Sequence, residues 1–334
     1  MPDRGTMHDH ALGALVGLAI GDALGMPTQS MSHDDIEARY GWVDGFLDAA
    51  ADQPIAPSMP AGSITDDTEQ ALLLGALLVE GSGRLDPRAF AEALLQWEAD
   101  MRARGSLDLL GPSTKAALSK LEQGAPPEET GRFGTTNGAA MRVAPVGIAF
   151  PPGLKLAEAV YESAMVTHCT GLGLSGAGMV AAAVSAGIDG ATMREALECA
   201  VGLGRDLAQR GNWVAGASIV ERYLAFKPLT DALAGEDLHR FLRDVVGTSV
   251  QSQESVVTAL LLASRSDLSP TDALRLAVNL GGDTDTVAAM AGAVLGAVHG
   301  IEVFAYEMKT KVECVNNLDF EPLTTQLLEI RRRG

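Results

Sequence analysis

Two short acidic segments hold the residues of this chain best suited to chemistry: Ser63-Ile64-Thr65-Asp66-Asp67-Thr68-Glu69 and Gly281-Gly282-Asp283-Thr284-Asp285-Thr286. Each sets carboxylates and hydroxyls immediately before an apolar run, Gln70 to Val79 in one case and Val287 to Val298 in the other. A helix start presents unpaired N–H groups and a partial positive charge, which holds carboxylates in their ionised form. Crowding several of them together demands a cation. Hard oxygen ligands suit Mg²⁺ or Mn²⁺ rather than zinc. Read singly, each segment is an ordinary helix N-cap, and Asp66 with Glu69 has the spacing of a capping box. One cap needs one Asp or Thr, however, and each segment supplies several. Together they predict a metal site.

The elements that must position these segments read as helices. Gly13, Gly17, Gly21 and Gly25 recur every fourth residue in the first apolar stretch, and Gly292, Gly296 and Gly300 repeat the spacing near the other end. In an acidic chain this spacing predicts helix faces cleared for close backbone packing, a structural role. Asp86-Pro87 reads as an N-cap and first helical residue, opening a helix to about Arg104. Ser269-Pro270, with Asp272 in the first turn, opens another to Leu280. Apolar periodicity predicts further helices over 154–166, 172–186, 193–201, 213–224 and 255–264. The stretches 48–63 and 124–137, rich in Pro, Gly or Ala, read as loops. Sustained β alternation, internal repeats and linkers are absent. The acidic segments must therefore meet across most of the chain, which predicts one domain over 1–334 with 1–9 and 331–334 as flexible ends.

Composition narrows the function classes. The 334 residues are 47% hydrophobic but only 4% aromatic, so Ala, Leu, Val and Gly fill the core, which favours closely packed helices. Lys and Arg total 25 against 43 Asp and Glu, a formal charge of −18 that repels phosphate backbones and anionic lipid heads. Nucleic-acid and membrane partners are disfavoured, and an anionic substrate needs local donors or a metal. Cys169, Cys199 and Cys314 are odd in number and form no CxxC pair, which argues against a zinc ribbon or a disulfide framework and fits a cytoplasmic setting. The stretch Ala11 to Gly21 has the length of a signal-peptide core. Asp3, Arg4 and Asp9 before it carry no net positive charge, and Asp22 interrupts it. No targeting segment and no membrane-spanning stretch is predicted.

With both acidic segments and the glycine-spaced opening in hand, the chain resembles the ADP-ribosylglycohydrolases. That family includes the glycohydrolase that reactivates ADP-ribosylated dinitrogenase reductase and the ADP-ribosylarginine hydrolases. The resemblance runs from about Leu12 to Asn317. It is carried by Gly21-Asp22-Ala23-Leu24-Gly25-Met26-Pro27, Thr65-Asp66-Asp67-Thr68, Thr136-Asn137-Gly138-Ala139-Ala140-Met141-Arg142, Thr167-His168 and Gly281-Gly282-Asp283-Thr284-Asp285-Thr286, in that order. It implies an all-α orthogonal multi-helix bundle holding two Mg²⁺ or Mn²⁺ ions. Thr65, Asp66 and Asp67 would ligate from one side, and Asp283, Asp285 and Thr286 from the other. The segment Leu110-Gly111-Pro112-Ser113-Thr114-Lys115 resembles bacterial members found beside nucleoside transport and sugar-kinase functions, which implies a salvage setting.

One position departs from the family pattern. Many members carry Glu two residues after the motif proline, where this chain has Gln29. A Gln accepts hydrogen bonds but transfers no proton near neutral pH, so acid–base duty passes to a ligating Asp or the substrate differs. Asn137 and Gly138 read as a small-residue turn that lets backbone approach a ligand, and Arg142 as an anchor for a phosphate or for a structural carboxylate. His168 is either structural or part of the substrate pocket, while His239 and His299 read as structural. Met141 and Gly282 complete the expected substrate contacts. Cleavage at ribose C1 develops oxocarbenium character and needs a protonated leaving group, with Asp66, Asp67 and Asp285 as the candidate catalytic carboxylates. The function so implied is a metal-dependent hydrolase of ADP-ribosyl compounds. A hydrolase of simple nucleosides or ribosides, and a non-catalytic ADP-ribose-binding protein, are the alternatives.

Overall fold

A computed structural model describes residues 4–107 and 110–333, and the architecture is an all-α multi-helix bundle. The first third holds α1 (Arg4–Gly25), α2 (His33–Tyr40), α3 (Asp66–Glu80), α4 (Pro87–Ala103) and α5 (Pro112–Glu122). Short turns of helix follow, α6 (Pro127–Thr130), α7 (Gly138–Met141) and α8 (Ala144–Ala149), then the longer α9 (Leu154–His168), α10 (Gly171–Ile188), α11 (Met193–Ala208) and α12 (Ile219–Ala232). The last third holds α13 (Gly235–Phe241), α14 (Ser252–Ala263), α15 (Pro270–Val278), α16 (Thr284–His299), α17 (Tyr306–Asn316) and α18 (Glu321–Arg333). The extended pairings among the described residues are isolated bridges at Met31–Gly282, Thr136–Gln251 and Thr170–Asn212.

Helix starts follow local chemistry. Asp86 accepts from Arg88 N ahead of Pro87, Ser269 accepts from Asp272 N ahead of Pro270, and Thr192 with Glu195 forms a capping box. Helix α12 departs from expectation: it starts at Ile219 under a Ser218 cap and runs through Pro228 to Ala232, rather than covering 213–224. The Arg265 guanidinium takes up the Thr230 and Leu233 carbonyls at its end, supplying donors where the helix runs out of them.

The central pair is α1 against α16, brought together by the glycine stripes. A Cβ on Gly13 would lie 2.5 Å from the Gly296 carbonyl oxygen, on Gly17 2.3 Å from that of Gly292, and on Gly21 2.1 Å from that of Ala288. Only hydrogen fits at such distances, so the backbones touch along the whole pair. Helices α10 and α14 pack beside it, and the core is built of Ala, Leu, Val and Ile as the composition predicts.

Two expectations need correction. Residues 4–9 already belong to α1, and residues 331–333 belong to α18; Met1–Asp3 and Gly334 lie outside the described residues. Arg331 is buried, donating to the Gly147, Ile148, Phe150 and Ser185 carbonyls and pairing with Asp189, so this end is tied into the core. The second concerns α10, which by length and composition is long and apolar enough to cross a membrane. It is 94% buried within the protein as a central core helix, where small and aliphatic residues face neighbours on every side.

Candidate functional site

The packing of α1 on α16 delivers a carboxylate that the sequence reading assigned no role. Gly25 at the end of α1 sits so close to α16 that a Cβ there would be 2.3 Å from Asp285 Cα. One turn earlier, the fully buried Asp22 points at the start of α3. Its carboxylate accepts from Thr65 N (3.0 Å), Thr65 Oγ1 (2.7 Å), Thr68 N (3.1 Å) and Thr68 Oγ1 (2.5 Å). Asp22 thus caps α3 from another helix, and the Thr65 side chain makes no cap bond of its own. The Asp66–Glu69 capping box does not form; Glu69 instead accepts from Trp97 Nε1 at 2.5 Å. The signal for Asp22 was a lone carboxylate inside a glycine-spaced apolar run, because a charge buried there needs partners.

The start of α16 is held just as firmly. Gly281 and Gly282 have φ of +85° and +81°, a conformation open to glycine, and a Cβ on Gly282 would lie 2.5 Å from the Thr248 carbonyl oxygen. Gly282 N donates to Met31 O and Asp283 N to Thr248 O. Thr284 Oγ1 lies 2.9 Å from Thr28 Oγ1 and reaches Gly25 O. These bonds fix where Asp283 and Asp285 enter the site.

Across most of the chain the two acidic segments therefore converge. Asp22, Asp67 and Asp285 each place a carboxylate oxygen within 4.8 Å of the others. Asp67 Oδ2 accepts from Thr286 Oγ1 (3.1 Å) and Thr65 Oγ1 (3.4 Å), while Asp67 Oδ1 and Asp285 Oδ1 are buried without a hydrogen-bond partner. Asp283 Oδ2 accepts from Asn137 Nδ2 at 2.5 Å. Burial, and then the charges of Asp285, Asp66, Asp22 and Asp283, hold Asp67 well above the usual carboxylate range. Burial and the charges of Asp283, Asp22 and Asp66 do the same to Asp285. Burial pushes Asp22 and Asp283 up to about 6, against hydrogen bonds from Thr68 and Thr65 in one case and Asn137 in the other. Orphaned, mutually repelling carboxylate oxygens in a buried, all-oxygen donor set fit a divalent cation, whose charge would offset the burial.

A cavity of about 140 Å³ opens beside the cluster. Gln29, Asp66, Asn137, Gly138, Met141, Asp283, Asp285 and Thr286 line it, with Thr114, Thr136, Ile55 and Val250. Gln29 is 6% exposed and its side-chain Nε2 has no partner among the described residues, while its backbone carbonyl accepts from Gln53 Nε2 at 2.8 Å. Thr65 and Asp67 lie behind this wall within the carboxylate cluster. Three expected substrate contacts do not reach the cavity. Gly282 serves the turn just described. Arg142 is fully buried, donates to Gln70 Oε1 (3.1 Å) and Thr167 Oγ1 (2.7 Å), and lies over the Phe90 ring. His168 is also fully buried beneath Gly138, bonded to Thr136 Oγ1 and Thr167 Oγ1. Both are sealed behind the wall they support. Adjacency in the chain marked them, but not which side of the wall they occupy.

The arrangement is chemically suited to hydrolysis: carboxylates able to orient water lie next to a small polar cavity. Comparison with known proteins agrees. The ADP-ribosylglycohydrolase family model matches residues 3–333. The chain is 34% identical over 328 residues to the protein YegU of Escherichia coli (strain K12), covering 97% of this chain and 98% of that one. It is 30% identical to the ADP-ribosylarginine hydrolase Tri1 of Pseudomonas putida (strain GB-1), over 91% of this chain and 74% of the other. A solved structure described as an ADP-ribosylglycohydrolase-related protein complex superposes with a TM-score of 0.70 at 25% identity, covering 98% of this chain and 99% of its own. The orthogonal-bundle expectation is thereby met, and the chain belongs to the ADP-ribosylglycohydrolase family.

Proposed function

We propose that this protein is a metal-dependent hydrolase that cleaves the glycosidic bond at ribose C1 of an ADP-ribosyl compound, protein-linked or small. The observation that carries the reading is the pair of buried, unpartnered oxygens, Asp67 Oδ1 and Asp285 Oδ1, at two helix starts beside a cavity walled by Asp66 and Asp283. The residues that would hold two Mg²⁺ or Mn²⁺ ions are Asp66, Asp67, Asp283, Asp285 and Thr286, with Thr65 and Asp22 bracing them. When bound, such ions lower the pKa of coordinated water and neutralise the carboxylate cluster. Asp66 and Asp285, on the cavity wall, orient water toward the sugar and carry a proton to or from it. Asp67 lies deeper and serves to hold charge. Asn137 fixes the Asp283 carboxylate, and Gly138, whose missing Cβ makes room for the His168 ring beneath it, lines the cavity.

One observation favours a narrower substrate. Among the described residues no lysine or arginine lines the cavity, so a diphosphate meets no side-chain cation there. Together with Gln29 in place of Glu, this favours a neutral nucleoside or riboside and a cytoplasmic salvage setting as the second reading. Turnover of ADP-ribosyl-arginine, ADP-ribosyl-serine and a nucleoside panel, with Mg²⁺, with Mn²⁺ and with chelator, separates the readings. Metal-dependent release of ADP-ribose supports the first, and nucleoside cleavage alone supports the second. Binding of ADP-ribose with no turnover of any substrate would leave a non-catalytic binding protein.

A further inference from the structure

Arg142 begins two hydrogen-bonded arms that both end on the cavity wall. One runs from Arg142 Nη1 to Gln70 Oε1 (3.1 Å), and from Gln70 Nε2 to Asp66 Oδ2 (2.9 Å). The other runs from Arg142 Nη2 to Thr167 Oγ1 (2.7 Å), then Thr167 Oγ1 to His168 Nδ1 (2.8 Å) and His168 Nε2 to Thr136 Oγ1 (3.0 Å). Arg142, Gln70, Thr167 and His168 are all sealed from solvent, at 0–1% exposure, so each proton has a forced direction.

An arginine donates and never accepts, so Thr167 Oγ1 must accept from Nη2. The Thr167 hydroxyl proton then has one acceptor, His168 Nδ1, since Thr167 makes no further hydrogen bond among the described residues. With Nδ1 accepting, a neutral imidazole carries its proton on Nε2 and donates it to Thr136 Oγ1. Neutrality follows from geometry as well: a cationic ring would turn an Nδ1–H toward Thr167 Oγ1 and leave the Thr167 hydroxyl proton without its acceptor, beside the guanidinium charge. Burial and that charge hold the His168 pKa well below its ordinary value, and Arg142 itself, lowered to about 9 by burial, stays charged at neutral pH.

We propose that Thr136 is a substrate-contacting residue whose hydroxyl is an obligate donor into the cavity, its polarity set by Arg142 through Thr167 and His168. Thr136 is 6% exposed, lines the cavity, and its Oγ1 has no partner other than His168 among the described residues. When the cavity is occupied, its proton is therefore directed at the ligand: an oxygen of the sugar or of a phosphate attached to it. The inference rests on reading this cavity as the ribosyl site. Arg142 and His168 act as positioning residues, which explains why a charged residue sits with no path to the substrate.

Two measurements test it. In protein labelled with ¹⁵N-histidine, His168 should show the neutral Nε2–H tautomer at pH 7; an Nδ1–H tautomer or an imidazolium overturns the polarity. Binding of ADP-ribose and of adenosine is then compared for wild type, Thr136→Val and Thr136→Ser, with circular dichroism melts to confirm folding. Thr136→Val should bind about three- to tenfold more weakly, the range for one neutral hydrogen bond, and Thr136→Ser should recover it. Weakening with both probes assigns the acceptor to the ribose they share, and weakening with ADP-ribose alone assigns it to the diphosphate or the second ribose. Unchanged binding by Thr136→Val, or no binding of either probe by wild type, overturns the contact. A wild type that binds ADP-ribose but hydrolyses nothing retires the proposed activity and leaves Thr136 standing.

Discussion

Gln29 places a neutral amide on a wall that also carries Asp66, Asp283 and Asp285. Its buried Nε2 has no partner, so the side chain is held by its surroundings rather than by a bond of its own. Gln29→Glu keeps the shape and adds an anion. In metal-free protein the new charge joins a cluster already short of protons' worth of compensation, and the variant should melt lower than wild type in chelator. Titrated with Mn²⁺, it should bind about tenfold more tightly or better, since one added charge at contact range exceeds the 1.4 kcal/mol that tenfold requires. Superimposable Mn²⁺ isotherms would show that the side chain at position 29 does not act on the metal site. At this scale the acidic segments were legible because Asp and Thr recur beyond any capping need. Asp22 was hidden because its partners, Thr65 and Thr68, lie 43 and 46 residues away. Arg142 and His168 were misplaced because their burial depends on Phe90, Gln70 and Thr167, which no local pattern connects to them.

The glycine stripe is where element packing and site chemistry become one matter. Its spacing predicted close helix packing and no more, yet the face it clears on α1 carries Gly21 and Gly25 beside the site and Gly13 far from it. An added methyl at Gly21 would lie 2.1 Å from the Ala288 carbonyl oxygen, one residue from Asp22 and three from Asp285. Gly21→Ala should therefore force α1 and α16 apart, costing about 1–3 kcal/mol of stability, and should weaken Mn²⁺ binding as well. Gly13→Ala, whose methyl would lie 2.5 Å from the Gly296 carbonyl oxygen, should cost comparable stability with Mn²⁺ affinity retained. Denaturant melts and metal titrations on the pair decide it; equal metal affinity would mean that the site tolerates movement of α1. Helix starts with a proline or a capping side chain were legible, as at α4 and α15, because their signal is local. Helix α12 was not, since Pro228 reads as a break inside it and the donors that meet its last carbonyls come from Arg265, far along the chain.

For the molecule as a whole, the buried carboxylates tie folding, protons and metal into one balance. Asp22 and Asp283 are raised to about 6, and Asp67 and Asp285 stand well above the usual range, all chiefly through burial. An unfolded chain releases these protons near pH 4, so folded metal-free protein retains protons that the unfolded chain has lost. The stability these groups contribute is full below about pH 4 and declines as pH rises through 6 and beyond. A divalent cation reverses the preference, because it binds the ionised forms and must displace any protons held there. Exposed carboxylates paired with arginine, Asp52 with Arg39 and Asp267 with the buried Arg265, are held below their ordinary pKa and work in the opposite sense at acid pH. They are the same with and without metal, and so cancel in the difference. The rise in melting temperature on adding Mn²⁺ should accordingly be small near pH 5 and grow steadily to pH 7.5. Calorimetric titrations in buffers of differing ionisation heat should show more protons released per Mn²⁺ at pH 6 than at pH 8. A metal effect on melting that is flat across this range would mean that the carboxylates are already ionised in the free protein, and that something other than a cation compensates their burial.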